Sequence, residues 1–86
     1  MIIVNFKTYN EATGKNAVAL AKLCQEVALE TKTRILLAVQ PTDIVSVRKA
    51  CSLELVAQHV DPITFGAHTG WILPDAVKMA GCIGSL

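Results

Sequence analysis

Met1-Ile2-Ile3-Val4-Asn5-Phe6-Lys7 opens the chain as an aliphatic run that ends, without a spacer, in a carboxamide, an aromatic ring and an ammonium. Met1 to Val4 reads as a short strand that could be buried on both faces, as strands of a parallel sheet are. A lysine at the carboxyl end of such a strand carries a charge that must reach water, an acid or an anionic ligand. Ligands of α/β sheets collect at those carboxyl ends. Asn5 and Lys7 stand two apart, so on an extended chain they share one side and offer amide and ammonium donors to an oxyanion or a phosphate. An ion pair with a neighbouring Asp or Glu is an equally ordinary use of Lys7.

Outward from this stretch, helical and strand patterns alternate. After the polar connector Thr8 to Gly14, the segment Lys15 to Thr31 places Ala17, Leu20, Ala21, Cys24, Val27 and Ala28 on one helical stripe, with Thr13 as a candidate N-cap. Arg34 to Val39 is a second aliphatic strand, stopped by Gln40-Pro41 because proline cannot donate to a ladder. Thr42 or Asp43 can cap a short helix that runs to about Cys51 and carries Ile44, Val47 and Ala50. Leu53 to His59 is a third strand, followed by the turn Val60-Asp61-Pro62. A longer connection, Ile63 to Ile72, contains Gly66 and Gly70. Pro74 then suits the first turn of a helix that reaches about Ala80 and is closed by Gly81, and Cys82 to Leu86 begins a fourth strand. The order βαβαβαβ with near-continuous apolar strands means a parallel sheet with right-handed crossovers, as in a (β/α) barrel or a doubly wound sheet. One Gly only lies between Thr8 and Gly14, which argues against a dinucleotide-binding loop.

Composition narrows the function classes. The chain has 86 residues, 52% of them hydrophobic, with a mean hydropathy of +0.46. That is greasy for a small domain and points to surface covered by more chain or by a partner. A net charge of +1 gives no basis for binding nucleic acid or an acidic membrane. No apolar run nears the roughly 18 residues of a membrane span, and the start lacks the pattern of a secretory signal. Cys24, Cys51 and Cys82 are odd in number and each lies among apolar residues, as buried reduced thiols of a cytoplasmic protein do. His59 and His68 without nearby cysteines make a weak metal pattern.

Asn5-Phe6-Lys7 at a strand end resembles the Asn-aromatic-Lys signature of the triosephosphate isomerase family. Three further segments agree in order and spacing with its shorter, archaeal-type branch: Gln40-Pro41-Thr42-Asp43, Ala57-Gln58-His59-Val60-Asp61, and Gly66-Ala67-His68-Thr69-Gly70-Trp71-Ile72. The resemblance covers residues 1–86. It implies part of a single (β/α)₈ TIM-barrel domain: its amino-terminal three βα units and a fourth strand. It also implies an intramolecular aldose-ketose isomerase of glycolysis and gluconeogenesis, cytoplasmic, with no cofactor and no metal. The family interconverts dihydroxyacetone phosphate and glyceraldehyde 3-phosphate through an enediolate.

Residue by residue, the resemblance makes Lys7 the catalytic cation against substrate oxygen and phosphate, and Asn5 the donor that orders the substrate oxygens. Thr69 would reach across a subunit interface in a homo-oligomer, dimer or tetramer, with Gln58 on the interface side of the third strand and Trp71 as packing or an interface anchor. Phe6 stands where the wider family commonly has Trp, and His59 where many members have Asn; beside Asp61, His59 is expected to be hydrogen-bonded at the strand end. The family's histidine electrophile and glutamate base have no match here, so the 86 residues alone are expected to be inactive. A different class of function, a non-catalytic βα fragment serving as an assembly or binding module, is the alternative.

Overall fold

A computed structural model describes residues 1–86. Its elements are β1 (Ile2–Asn5), α1 (Lys15–Thr31), β2 (Ile35–Val39), α2 (Ile44–Ala50), β3 (Glu54–Ala57), α3 (Pro74–Ala80) and β4 (Cys82–Ser85). Short 3-10 turns, Asn10–Ala12 and Pro41–Asp43, precede α1 and α2. The four strands form one parallel sheet in the order β1-β2-β3-β4. This is the α/β arrangement that the alternation of patterns predicts.

The register sorts the side chains into two layers. Val4 pairs with Leu37, Leu37 with Leu55, and Leu55 with Cys82. Neighbours in register on parallel strands share a face, and this row packs with Ala17, Ala21, Ile44, Val47 and Val77 of the helices. Alanines on α1 let its backbone lie close to the sheet. The row one residue on, Asn5, Ala38, Val56 and Gly84, faces the other way. There Leu36, Ala38 and Val56 form a second, smaller apolar cluster. Asn5 therefore closes the helix-free face at its carboxyl end.

Capping differs from the sequence expectation. Gly14, at φ 60°, takes the N-cap position of α1, and no side chain caps it. The Thr13 hydroxyl donates instead to the Tyr9 carbonyl (2.7 Å) and accepts from the Gln40 amide (2.9 Å). Asp43 precedes α2 but does not cap it with its side chain. Its carboxylate reaches back to accept from the Gly14 amide at 3.1 Å. Asp43 is the single buried polar residue, and it sits where the positive end of the α1 dipole favours an anion. Gly81 closes α3 at φ 122°, and a β-carbon there would lie 2.9 Å from Cγ of Arg48, so glycine answers both the conformation and the space.

Two sequence readings need correction. The stripe on α1 is narrower than drawn: Val27 is 49% exposed, while Ala17, Ala21 and Ala28 are buried. The first strand is not buried on both faces; Ile2 and Ile3 are 50% and 42% exposed, because β1 has a neighbour on one side only and no helix over the face that carries Ile3. At the other edge Ile83 and Leu86 are exposed, and a groove of about 590 Å³ runs along β4 between Val60, Val77, Lys78 and Ile83. The radius of gyration, 13.0 Å, exceeds the roughly 12 Å of a compact domain of this length, as an open sheet requires.

Open apolar edges invite pairing between chains. The 86-residue chain should therefore scatter light as associated species, and Ile83→Lys should shift it toward monomer. A monodisperse wild-type monomer would contradict this reading of the edges.

Candidate functional site

The strand β1 ends at Asn5, and the chain turns at once. Phe6, 1% exposed, inserts into the helix-side core and anchors the turn. Lys7 follows at φ 49°. A residue with a β-carbon gives up about 1–2 kcal/mol in that left-handed region, so surrounding bonds must hold it. Both ends of its peptide are held. Its N–H donates to Asn5 Oδ1 at 2.9 Å, and its carbonyl accepts from Gln58 Nε2 at 2.9 Å. The same Gln58 nitrogen donates to the Ala38 carbonyl at 3.1 Å, which also accepts from the Phe6 N–H at 2.9 Å. Asn5 and Lys7 are thus associated by a turn and not by the alternation of an extended strand.

The Lys7 side chain is exposed at the carboxyl ends of the strands and is free of carboxylates. The carboxylates that meet basic side chains are Glu54, with Arg34, and Asp61, with His59; neither contact involves it. Its ammonium lies 5.9 Å from the centroid of the Tyr9 ring, a contact worth ~1 kcal/mol or less at an exposed site. The ion pair that the sequence allowed for this lysine is not formed. Asn5 keeps its amide nitrogen available, since Oδ1 is the atom engaged by Lys7.

The third strand ends at Ala57, two residues earlier than the sequence suggests, and a long loop follows. Asp61 ties its neck. Its N–H donates to the Ile72 carbonyl (2.9 Å), and its Oδ2 accepts from the Ile72 N–H (2.7 Å). Oδ1 lies 2.9 Å from His59 Nε2, which places His59 in the strand-end hydrogen bond expected of it. The Ile72 amide first, and His59 second, hold the Asp61 carboxyl below the usual aspartate range. Beyond the neck, Phe65 and Trp71 are 67% and 56% exposed, and Trp71 leans on His68 with ring centroids 5.9 Å apart. Thr69 is exposed in this loop. Gln58, half-buried, gives its amide to the Lys7 carbonyl.

The remaining candidates do not join a site. Cys51 and Cys82 are buried and Cys24 is half-buried, all as free thiols; burial pushes the Cys24 and Cys82 thiols up, away from thiolate chemistry. Nowhere do three or more His, Cys, Asp or Glu side chains gather in a metal-binding group. Arg34 and Glu54 meet bidentately at 2.8 and 3.2 Å at the opposite, amino-terminal ends of β2 and β3, where both are solvent-exposed. No helix is long and apolar enough to cross a membrane.

A family model described as triosephosphate isomerase matches residues 1–86. Among curated proteins, the triosephosphate isomerase of Methanothermus fervidus is 45% identical over all of this chain and 39% of its own length. Those of Methanobacterium bryantii and Metallosphaera sedula are 46% and 44% identical over all of this chain, each over 38% of its own length. The chain thus spans a little under two fifths of the length of these relatives.

The Asp61 neck should be insensitive to mild acid. A carboxyl with a lowered folded-state pKa contributes stability above its unfolded value and loses it only as pH falls through the folded value. Protection of the Ile72 amide against exchange should therefore persist until the pH drops below the ordinary aspartate value of 3.8. Asp61→Ala should abolish that protection at neutral pH and speed proteolysis between Pro62 and Trp71. Loss of wild-type protection already at pH 5 would contradict the role of the carboxylate.

Proposed function

The chain belongs to the triosephosphate isomerase family along its whole length, and from that premise we propose that Lys7 is the cation of a triose-phosphate isomerase site. It is amino-terminal sequence of that family, and the activity proposed is that of the complete protein. There, dihydroxyacetone phosphate and glyceraldehyde 3-phosphate interconvert by removal of a proton next to a carbonyl and passage through an enediolate. Negative charge develops on the substrate oxygens as the proton leaves. A fixed ammonium lowers the energy of that charge, and because it is already in place it costs no reorganisation at the moment of reaction. The Asn5 amide supplies a second donor to the same oxygens. A cytoplasmic place in glycolysis and gluconeogenesis belongs to the same proposal.

The observation that carries this reading is the unpaired Lys7 ammonium at the carboxyl ends of the strands, on a turn whose backbone is held at both ends. Lys32, a surface lysine, is also left-handed as the C-cap of α1, but no side chain clamps its backbone as Asn5 and Gln58 clamp that of Lys7. The family's histidine electrophile and glutamate base fall outside these 86 residues, so the chain by itself should show no turnover above buffer. A second reading, a non-catalytic βα module that assembles through its edges, is supported by the exposed strands at both sides of the sheet. A natural product near the ~250 residues usual for a barrel would favour the isomerase; a stable product of 9.2 kDa would favour the module.

The exposed loop Gly66–Ile72, with Thr69 and Trp71, is the proposed contact between copies in a homo-oligomer. An aromatic ring half in solvent on a tied loop has the character of an interface anchor.

Two outcomes follow in the full-length protein. Lys7→Ala should lower kcat/KM on the order of 10²-fold or more while leaving the circular dichroism spectrum native; an unchanged rate with a native spectrum would sink the assignment. Shortening the loop between Gly66 and Ile72 should yield monomers by sedimentation. Retention of the assembly state would place the interface elsewhere.

A further inference from the structure

We propose that Tyr9 is a positioning residue for the Lys7 ammonium, which it holds through the face of its ring; the inference rests on the role given to Lys7 above. Nζ of Lys7 lies over the Tyr9 ring, 5.9 Å from its centroid. Tyr9 is 58% exposed and belongs to neither apolar cluster, so core packing does not account for the ring. Its backbone is nonetheless tied to the sheet. The Tyr9 carbonyl accepts from the Ala12 N–H at 3.0 Å and from the Thr13 hydroxyl at 2.7 Å. That hydroxyl accepts in turn from Gln40 Nε2 at 2.9 Å, and Gln40 directly follows β2. The ring beside Lys7 therefore stands on a braced turn.

A ring suits this task better than a carboxylate. Lysine carries its charge on a flexible four-carbon stem, and an exposed ammonium on such a stem samples many positions. The negative face of an aromatic ring attracts the ammonium and narrows those positions. Being neutral, the ring does not cancel the charge that the substrate oxygens are to meet. An aspartate or glutamate in its place would form an ion pair that the anionic substrate must first break. The ammonium has three hydrogens, so a ring on one side leaves donors for substrate. A lysine held in this way reaches the transition state with less ordering left to do. The attraction comes from the π electrons and not from the hydroxyl, so phenylalanine supplies it and leucine does not.

The test compares wild type, Tyr9→Leu, Tyr9→Phe and a series of fluorinated phenylalanines at that position in the full-length protein, each also combined with Lys7→Ala. Tyr9→Leu should lower kcat/KM roughly threefold to fivefold, the size of a cation–π contact at an exposed site, and Tyr9→Phe should recover most of that loss. Each added fluorine draws electron density from the ring face while barely changing its shape, so kcat/KM should step down along the series. In the Lys7→Ala background these differences should shrink below about twofold, because coupled residues are not additive. In NMR spectra the side-chain methylene protons of Lys7 should show an upfield ring-current shift in wild type and Tyr9→Phe that is lost in Tyr9→Leu.

The proposal is overturned if Tyr9→Leu keeps the wild-type rate, if every fluorinated ring supports the rate of Tyr9→Phe, or if the losses are equal in both backgrounds. Absence of the ring-current shift in wild type overturns it as well. If Tyr9→Leu does not fold, the fluorinated series carries the same expectations, since those rings keep the shape of phenylalanine. A wild-type rate in Lys7→Ala would overturn the isomerase assignment instead, and the ring-current shift would still decide whether Tyr9 holds that ammonium.

Discussion

The carbonyl oxygen of Ala38 is the junction between sheet and site. It accepts the Phe6 N–H, which carries the β1–β2 ladder one step past the strand, and it accepts the Gln58 amide from the end of β3. Three strands therefore converge on one acceptor at their carboxyl ends. The parallel register makes this possible: Asn5, Ala38 and Val56 stand level on the helix-free face. Burial of the alternate row against α1, α2 and α3 fixes that register, since a slip by one residue would turn Leu37 and Leu55 out of the core. Packing on one face of the sheet thus sets the geometry of the other.

What was legible in the sequence was what is local. The apolar runs, the helical stripe of Ala17, Ala21 and Ala28, and the punctuation by Pro41, Pro74 and Gly81 each act through neighbours within a turn, so pattern alone places the elements. Lys7 was legible as an unusual charge at a strand end, and four ordered segments tied it to a family.

The bonds that shape the site were not legible, because each spans a distance that the sequence does not encode. Nothing in Gln58 announces a partner 51 residues earlier, nor in Asp43 a helix end 29 residues back. Thr13 looked like a cap because its type and place fit one. Gly14 displaced it by taking a backbone conformation closed to most other residues, and the freed hydroxyl found Tyr9 and Gln40. Burial of β1 was misjudged for a related reason: hydropathy reports that a residue tolerates burial, while exposure depends on which neighbours the sheet provides.

The account turns on Lys7 being an anion-directed cation held ready by its backbone. The most direct measurement is a titration of the full-length protein with inorganic phosphate, followed through assigned amide and lysine side-chain NMR signals, in wild type and Lys7→Ala. The account predicts that the Asn5, Lys7 and Gln58 signals move first and saturate in wild type, and that this response is lost in Lys7→Ala. Movement of other lysines with these three signals at rest would contradict it.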